Sequence, residues 1–332
     1  MKILITGATG YVGNNVAHSL ANKGHEIHAI ARSDSAKKIL HHQNIKIFKG
    51  DILDKETLFD AMKNCEQVYH VAAKVGLCVN NFSDFYNTNV IGTKNVIDAA
   101  SQLGVQKTVF TSTCGVIGPS DKKPLNEDSY RMDTISNAYD LTKKISEDVI
   151  YEQINKGFNG VIVCPSKIYG PGNISHSLTA NAVIDTFLKK GITIIPSPGT
   201  YKVCFSFIDD IVHGHILAME KGIRGEKYIL GGINISYQDF FNQLRAISSC
   251  NGYILKLSKT SLKSIAGLQF LYYKLTGNLP LFTPKSVDYV FNNYIFSSDK
   301  AINQLGYKIT PLNEAMEKTI HYLMNNDKKV LD

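Results

Sequence analysis

Lys2-Ile-Leu-Ile-Thr-Gly-Ala-Thr-Gly-Tyr-Val-Gly13 is the stretch that decides the fold. Its first half is apolar and predicts a short buried strand. It then breaks at Gly7, Gly10 and Gly13, and a helix is predicted to begin near Gly13. Glycines between a strand and a helix serve a tight turn, the close approach of a pyrophosphate, and helix–strand packing. The helix start then offers unpaired N–H groups to phosphate oxygens. Thr6, Gly7, Thr9, Gly10, Tyr11, Val12 and Gly13 are therefore candidate residues for a dinucleotide cofactor.

Downstream of this turn, short apolar runs alternate with longer helical patterns. Strands are predicted at Glu26–Ile30, Ile45–Phe48, Gln67–Val71, Thr108–Ser112 and Gly160–Cys164, and helices near Lys55, Asp84 and Tyr139. Near-continuous apolar strands separated by amphipathic helices imply a parallel sheet covered on both faces, the doubly wound α/β arrangement. Proline and glycine then cluster at Tyr169-Gly-Pro-Gly172 and Pro196-Ser-Pro-Gly199, and the pattern becomes mixed. The expected organisation is a nucleotide-binding Rossmann domain over 1–170, with a segment near 203–232 returning to it. Residues 171–202 and 233–332 are expected to form a smaller substrate lobe.

The bulk properties narrow the class. The 332 residues carry 36 basic and 29 acidic side chains, a net charge of +7, but the lysines form no block or stripe. That pattern argues against a nucleic-acid partner. The six cysteines lie far apart with no C-x-x-C pair, so they read as reduced thiols and not as a disulfide frame or zinc site. Ser261–Leu275 is largely apolar but holds Lys263, Gln269 and Lys274, and falls short of the ~20 residues a membrane span needs. No signal peptide is expected ahead of the first strand, and a cytoplasmic protein is the simplest expectation. His213-x-His215 beside Asp209 and Asp210 does not place two ligands on one helix face, so no metal is expected.

Tyr139-Asp-Leu-Thr-Lys143 puts a phenol and an ammonium four residues apart on a predicted helix, hence on one face. A free tyrosine has a pKa of about 10, and a nearby cation and a hydroxyl partner are what would make it useful near neutrality. The preceding strand ends in Phe110-Thr-Ser-Thr-Cys-Gly115, which supplies such hydroxyls.

Together, Thr6-Gly-x-x-Gly-x-x-Gly13, the Thr113 strand end and Tyr139-x-x-x-Lys143 resemble the extended short-chain dehydrogenase/reductases, the epimerase/dehydratase group. The resemblance is strong to residue 172 and looser beyond it. It implies that Tyr139 is the general acid toward a carbonyl, or the base toward an alcohol. Lys143 would lower the tyrosine pKa and hold the nicotinamide ribose, and Thr113 would bond the substrate oxygen. Asn89, in Asn87-Thr-Asn-Val-Ile-Gly-Thr93, resembles the family asparagine that helps fix the lysine. Asp51-Ile52 resembles the pair around the adenine, and Val71-Ala-Ala73 the loop where small residues pass the cofactor, with His70 read as packed strand end. Pro165, Ser166 and Ile168 resemble the loop beside the nicotinamide. A homodimer through the helices near Asp84 and Tyr139 is expected only by analogy.

An acid at the end of the second strand binds the ribose 2′-hydroxyl of NAD, whereas an arginine accommodates the phosphate of NADP. Here Ala31-Arg32-Ser33-Asp34 stands at that place. NADP(H) is the expected cofactor, with Arg32 and Ser33 on the 2′-phosphate, while Asp34 keeps NAD(H) open. The scaffold hosts several reactions, so fold does not decide function. Cys114-Gly115 stands where sugar 4,6-dehydratases of the family carry Asp-Glu. Lys202-Val-Cys-Phe-Ser-Phe207 has no charge after its first residue, where many epimerases carry an arginine. The resemblance therefore leans toward dihydroflavonol-reductase and hydroxysteroid-dehydrogenase-like members, reducing a small carbonyl to an alcohol. Tyr201, Phe205, Phe207 and Leu268–Leu275 would suit an apolar substrate. A nucleotide-sugar epimerase and a non-catalytic cofactor sensor are the alternatives.

Overall fold

Short runs rich in isoleucine and valine cannot leave both faces in water, and here they stack side by side in one sheet. The computed structural model describes residues 1–76, 81–135, 137–172, 180–276 and 284–326. The first six strands are β1 (Lys2–Thr6), β2 (Glu26–Ala31), β3 (Ile45–Lys49), β4 (Gln67–His70), β5 (Lys107–Thr111) and β6 (Gly160–Pro165). Between them lie α1 (Tyr11–Asn22), α2 (Ala36–Ile39), α3 (Lys55–Met62), α4 (Phe82–Tyr86), α5 (Gly92–Gln102) and α6 (Ala138–Asn155). A π turn, Asn87–Ile91, joins α4 to α5.

Beyond them come β7 (Lys167–Tyr169), α7 (Ala180–Lys190), β8 (Ile192–Pro196), β9 (Lys202–Phe207), α8 (Ile208–Lys221) and β10 (Lys227–Leu230). The chain continues through β11 (Ile233–Ser236), α9 (Tyr237–Ser248), β12 (Tyr253–Leu257), α10 (Lys259–Thr276), α11 (Pro284–Val290), α12 (Asp299–Leu305) and α13 (Leu312–Asn326).

The main sheet has seven parallel strands in the order β10-β6-β5-β4-β1-β2-β3. The order reverses at β1 and β4, which opens a crevice at their carboxyl ends, the place where ligands bind in such sheets. This is the doubly wound Rossmann arrangement that the sequence predicts. From the 203–232 stretch, β10 joins the main sheet beside β6, while β9 pairs with β11 and β7 in a separate three-stranded sheet. β8 and β12 form a third, two-stranded sheet.

Local reasons for these elements are visible in the caps. Asp54 accepts from the N–H groups of Glu56 and Thr57 at the start of α3, and Asn137 accepts from Asp140 at the start of α6. At α8 Phe207 holds the cap position, and Asp209 and Asp210 lie in the first turn, where the helix dipole favours negative charge. Asp210 accepts from the Thr310 N–H (2.9 Å) and hydroxyl (2.5 Å), which ties the C-terminal segment to the domain. His215 is buried and bonded to Thr111 and Ile211, so it packs and does not pair with His213. Cys65, Cys114, Cys164, Cys204 and Cys250 are free thiols; Cys78 lies outside the described residues. Among the described residues, no helix is long and apolar enough to cross a membrane.

Candidate active site

The glycine turn separates packing from ligand approach. Gly7 has φ +73°, and a Cβ there would stand 2.6 Å from the Ala72 backbone. A Cβ at Gly13 would meet the Gly7 carbonyl oxygen at 2.2 Å. Both are glycine because the protein itself fills the space. Gly10 differs: its Cβ would meet only the Gly7 oxygen, at 3.3 Å, and otherwise point into open room. α1 starts there with no side-chain cap and no acid in its first turn. Uncapped amides beneath a glycine that the protein does not crowd fit an approaching diphosphate.

Alanine at Gly13 and at Gly10 should therefore fail differently. Gly13→Ala is expected to lose about 1–3 kcal/mol of stability, because two backbone segments must part. Gly10→Ala should melt near the wild type, yet lose most of its stabilisation by cofactor. Thermal unfolding with and without added NADPH separates the two, and equal behaviour of the pair would refute this division of roles.

Around the turn, Thr6 accepts from the Ala72 N–H (3.3 Å), and Val71 N–H bonds the Thr6 carbonyl (3.2 Å). Tyr11 is not free to meet a ligand with its hydroxyl, which donates to the Gly170 carbonyl at 2.7 Å and accepts from Asn181. It clamps the glycine turn to the Tyr169–Gly172 loop. Ile52 is buried core, whereas Asp51 is partly exposed beside Arg32, 3.9 Å away. The Arg32 side chain is 81 % exposed at the end of β2. Ser33 bonds Ser35 (2.6 Å), and Asp34 is engaged by Lys49 (3.2 Å) and Lys37 (3.8 Å).

The catalytic candidates meet at the carboxyl edge of β5. Thr113 accepts from the Gly115 N–H (3.1 Å), leaving its own proton to give, and its side chain stands near enough to the Tyr139 phenol to act on it. Burial and the Asp140 charge push that phenol above its usual value, against the pull of Thr113. A phenol so placed keeps its proton and is ready to donate it. Lys143 is 3 % exposed, and burial draws it down to about 8 although Glu147 and Cys164 act the other way. Gly115 is needed where it stands: a Cβ would lie 2.1 Å from an Asp140 oxygen, so the start of α6 sits directly on the turn after β5.

Asn89 lies in the π turn and is fully buried. Its amide accepts from the Lys74 N–H (2.8 Å) and donates to the Lys74 carbonyl (3.1 Å) and to Thr142 (2.9 Å). Its carbonyl takes the hydroxyls of Thr93 (2.6 Å) and Ser146 (2.7 Å). Asn89 thus fixes α6 and the loop after β4, and reaches Lys143 only through the helix that carries it. Pro165 pairs with Leu230 in the main sheet, Ser166 donates to the Cys204 carbonyl (2.8 Å), and Ile168 lies in β7 opposite Ser206.

His70 is the packed strand end that the sequence predicts, and Glu147 escaped the sequence reading. His70 bridges Thr6 (2.7 Å) and Thr93 (2.9 Å), and because Thr93 donates to Asn89, the His70 Nε2 carries the proton. Burial, helped by the Lys143 charge, pushes it down to about 3, so the ring is neutral. Glu147, buried four residues beyond Lys143, accepts from Ser112 (2.5 Å) and from the Lys227 ammonium (2.5 Å). Its place on the Tyr139–Lys143 face was a legible signal. Of the suggested substrate aromatics, Phe205 and Phe207 are core, and Leu268 and Leu275 are 69 % and 78 % exposed.

A glycine turn with open room beside Gly10 and an uncapped helix start thus shares the carboxyl edge of one sheet with a phenol, a hydroxyl and a buried ammonium. Residues 3–231 match the model of the NAD dependent epimerase/dehydratase family. The chain belongs to that family. Its members include dehydrogenase, epimerase and dehydratase relatives, and the chain is an NAD(P)-dependent enzyme of the extended short-chain dehydrogenase/reductase type. It is 28% identical to a putative dihydroflavonol 4-reductase of Synechocystis, over 97% of this chain and 94% of the relative. It is 32% identical to sterol demethylase protein B of Methylococcus capsulatus, over 70% of each. The UDP-glucose 4-epimerase of Thermotoga maritima superposes with a TM-score of 0.82 over 100% of both chains, at 22% identity, a likeness of fold.

Proposed function

We propose that the protein is an NADP(H)-dependent oxidoreductase that reduces a ketone or aldehyde to an alcohol, with Tyr139 as the general acid. The observation that carries this reading is the meeting, at the end of β5, of a Thr113 hydroxyl with its proton free to give and a Tyr139 phenol that burial keeps protonated. A carbonyl oxygen taking up that position would accept a proton from Tyr139 while Thr113 orients it. The bound nicotinamide would supply the hydride. The buried Lys143 ammonium favours negative charge developing on the oxygens nearby. Thr6, Gly7, Thr9, Gly10, Tyr11, Val12 and Gly13 would hold the diphosphate. Val71, Ala72, Ala73, Pro165, Ser166 and Ile168 would flank the nicotinamide half. Residues 1–170 with β10 would serve the cofactor and the remainder the substrate.

The reductive direction draws support from Arg32. It is exposed beside the hydroxyls of Ser33 and Ser35, and the acid that would favour NAD, Asp34, is already paired with two lysines. Arg32→Ala is expected to weaken NADPH binding about tenfold or more while leaving NADH nearly unchanged, as loss of a charge-assisted phosphate contact does. Dissociation constants for both cofactors test it; a wild type that prefers NADH would remove Arg32 from the site. Many nucleotide-sugar epimerases of the family carry an arginine before the helix corresponding to α8, and in that strand only Lys202, at its exposed start, is basic. The proposed setting is the cytoplasm.

A further inference from the structure

Lys167 has no role in the chemistry described so far, and its surroundings are unusual for a lysine. It opens β7 opposite Phe205, two residues beyond Pro165, on the same edge of the main sheet as Thr113. Its ammonium lies 5.8 Å from the centre of the Phe205 ring and 5.5 Å from that of Tyr237. Aromatic faces attract a cation, but they do not replace the hydrogen bonds its three N–H groups made in water. Among the described residues no carboxylate or acceptor does so. Burial alone acts on Lys167, drawing it down to about 8.

A second observation stands beside it. Tyr237 is 6 % exposed, and its hydroxyl has no hydrogen-bond partner. A buried phenol normally finds one. The half-buried ammonium, without a carboxylate partner among the described residues, and the unpartnered phenol adjoin each other, and the region leads to the catalytic groups. Tyr289 stands near enough to Tyr237, to Asp140 and to Cys114 for each to act on its phenol. Asp140 and Cys114 are the chain neighbours of Tyr139 and Thr113.

We propose that Lys167 and Tyr237 form an anion subsite of the substrate pocket, receiving a carboxylate or phosphate that the substrate carries away from its reacting carbonyl. The ammonium would pair with the anion, and the Tyr237 hydroxyl would donate to the same group. Phe205 and the tyrosines would cover the apolar part of the molecule between the two ends. As a statement about substrate, this rests on the carbonyl-reductase reading above; the deciding measurement does not.

That measurement is binding without turnover. The NADPH-loaded protein is titrated with octanoate, with inorganic phosphate, and with octanol as the uncharged control, for wild type, Lys167→Met, Lys167→Arg and Tyr237→Phe. Octanoate or phosphate is expected to bind wild type, with affinity lowered at least tenfold by Lys167→Met, restored in part by Lys167→Arg, and lowered severalfold by Tyr237→Phe. Octanol should not distinguish wild type from Lys167→Met. An unchanged cofactor-induced stabilisation shows that each variant is folded. Response to one anion only assigns its class. Equal affinity of wild type and Lys167→Met for both anions, or no binding of either, overturns the subsite. Turnover is then assayed with oxo acids and their methyl esters. Failure to reduce any carbonyl would sink the reductase reading, and the binding result would still stand.

Discussion

Tyr139→Phe is expected to reduce turnover of a carbonyl by about 10²–10⁴-fold, the range typical of losing a positioned general acid. The substitution removes one oxygen and leaves the ring in place, so α6 should keep its packing. The phenol is held above its usual pKa by burial, so the proton it offers is present throughout the neutral range. Phenylalanine has none to give. Cofactor binding should change little, because the glycine turn lies on β1 and α1 and makes no use of that hydroxyl. Steady-state kinetics alongside a cofactor titration would read both. Turnover retained within a factor of a few would mean that another group supplies the proton.

Lys227→Met should be the most damaging substitution away from the reaction, costing about 3–5 kcal/mol of stability. Glu147 is buried, and its two oxygens are bonded to Ser112 and Lys227, each at 2.5 Å. Removing the ammonium leaves a carboxylate inside the protein without its counter-charge, on the helix that carries Tyr139 and Lys143. The pair also fastens β10, the edge strand beside β6, to α6. Pairing Lys227→Met with Glu147→Leu should recover much of the loss, because the uncompensated charge disappears with it. Chemical denaturation of the single and double variants measures this. A loss under about 1 kcal/mol for the single variant would mean the pair is no better than a surface salt bridge.

The half of the chain that binds the cofactor was legible because its signals are local. Each of β1 to β6 announces itself as an apolar run, each crossover helix as a periodic one, and Gly7-x-x-Gly10-x-x-Gly13 fixes the join between the first two. Tyr139 and Lys143 fall on one helix face by spacing, and Thr113 was named by the family resemblance of its strand end. The groups that sequence reading missed depend on long separations or on irregular backbone. Glu147 and Lys227 lie 80 positions apart. The π turn that buries Asn89 against Lys74 and Thr142 leaves no mark in a 3.6-residue pattern. β7, β9 and β11 are short strands paired across the chain, and nothing in their composition tells that β9 leaves the main sheet while β10 joins it. The apolar run at Leu268–Leu275 was legible as a helix, but which face it shows was not. The effect of burial on Tyr139 was also hidden, because the motif names residues and not the apolar walls around them.

The most direct test of the central claim is to mix the purified protein with NADPH and a panel of ketones and aldehydes, and to follow both the cofactor and the product. The account predicts that one molecule of NADPH is oxidised for each alcohol formed, that NADH is the poorer donor, and that Tyr139→Phe abolishes the exchange. Inversion of a sugar stereocentre with no net consumption of cofactor would contradict it and make the protein an epimerase.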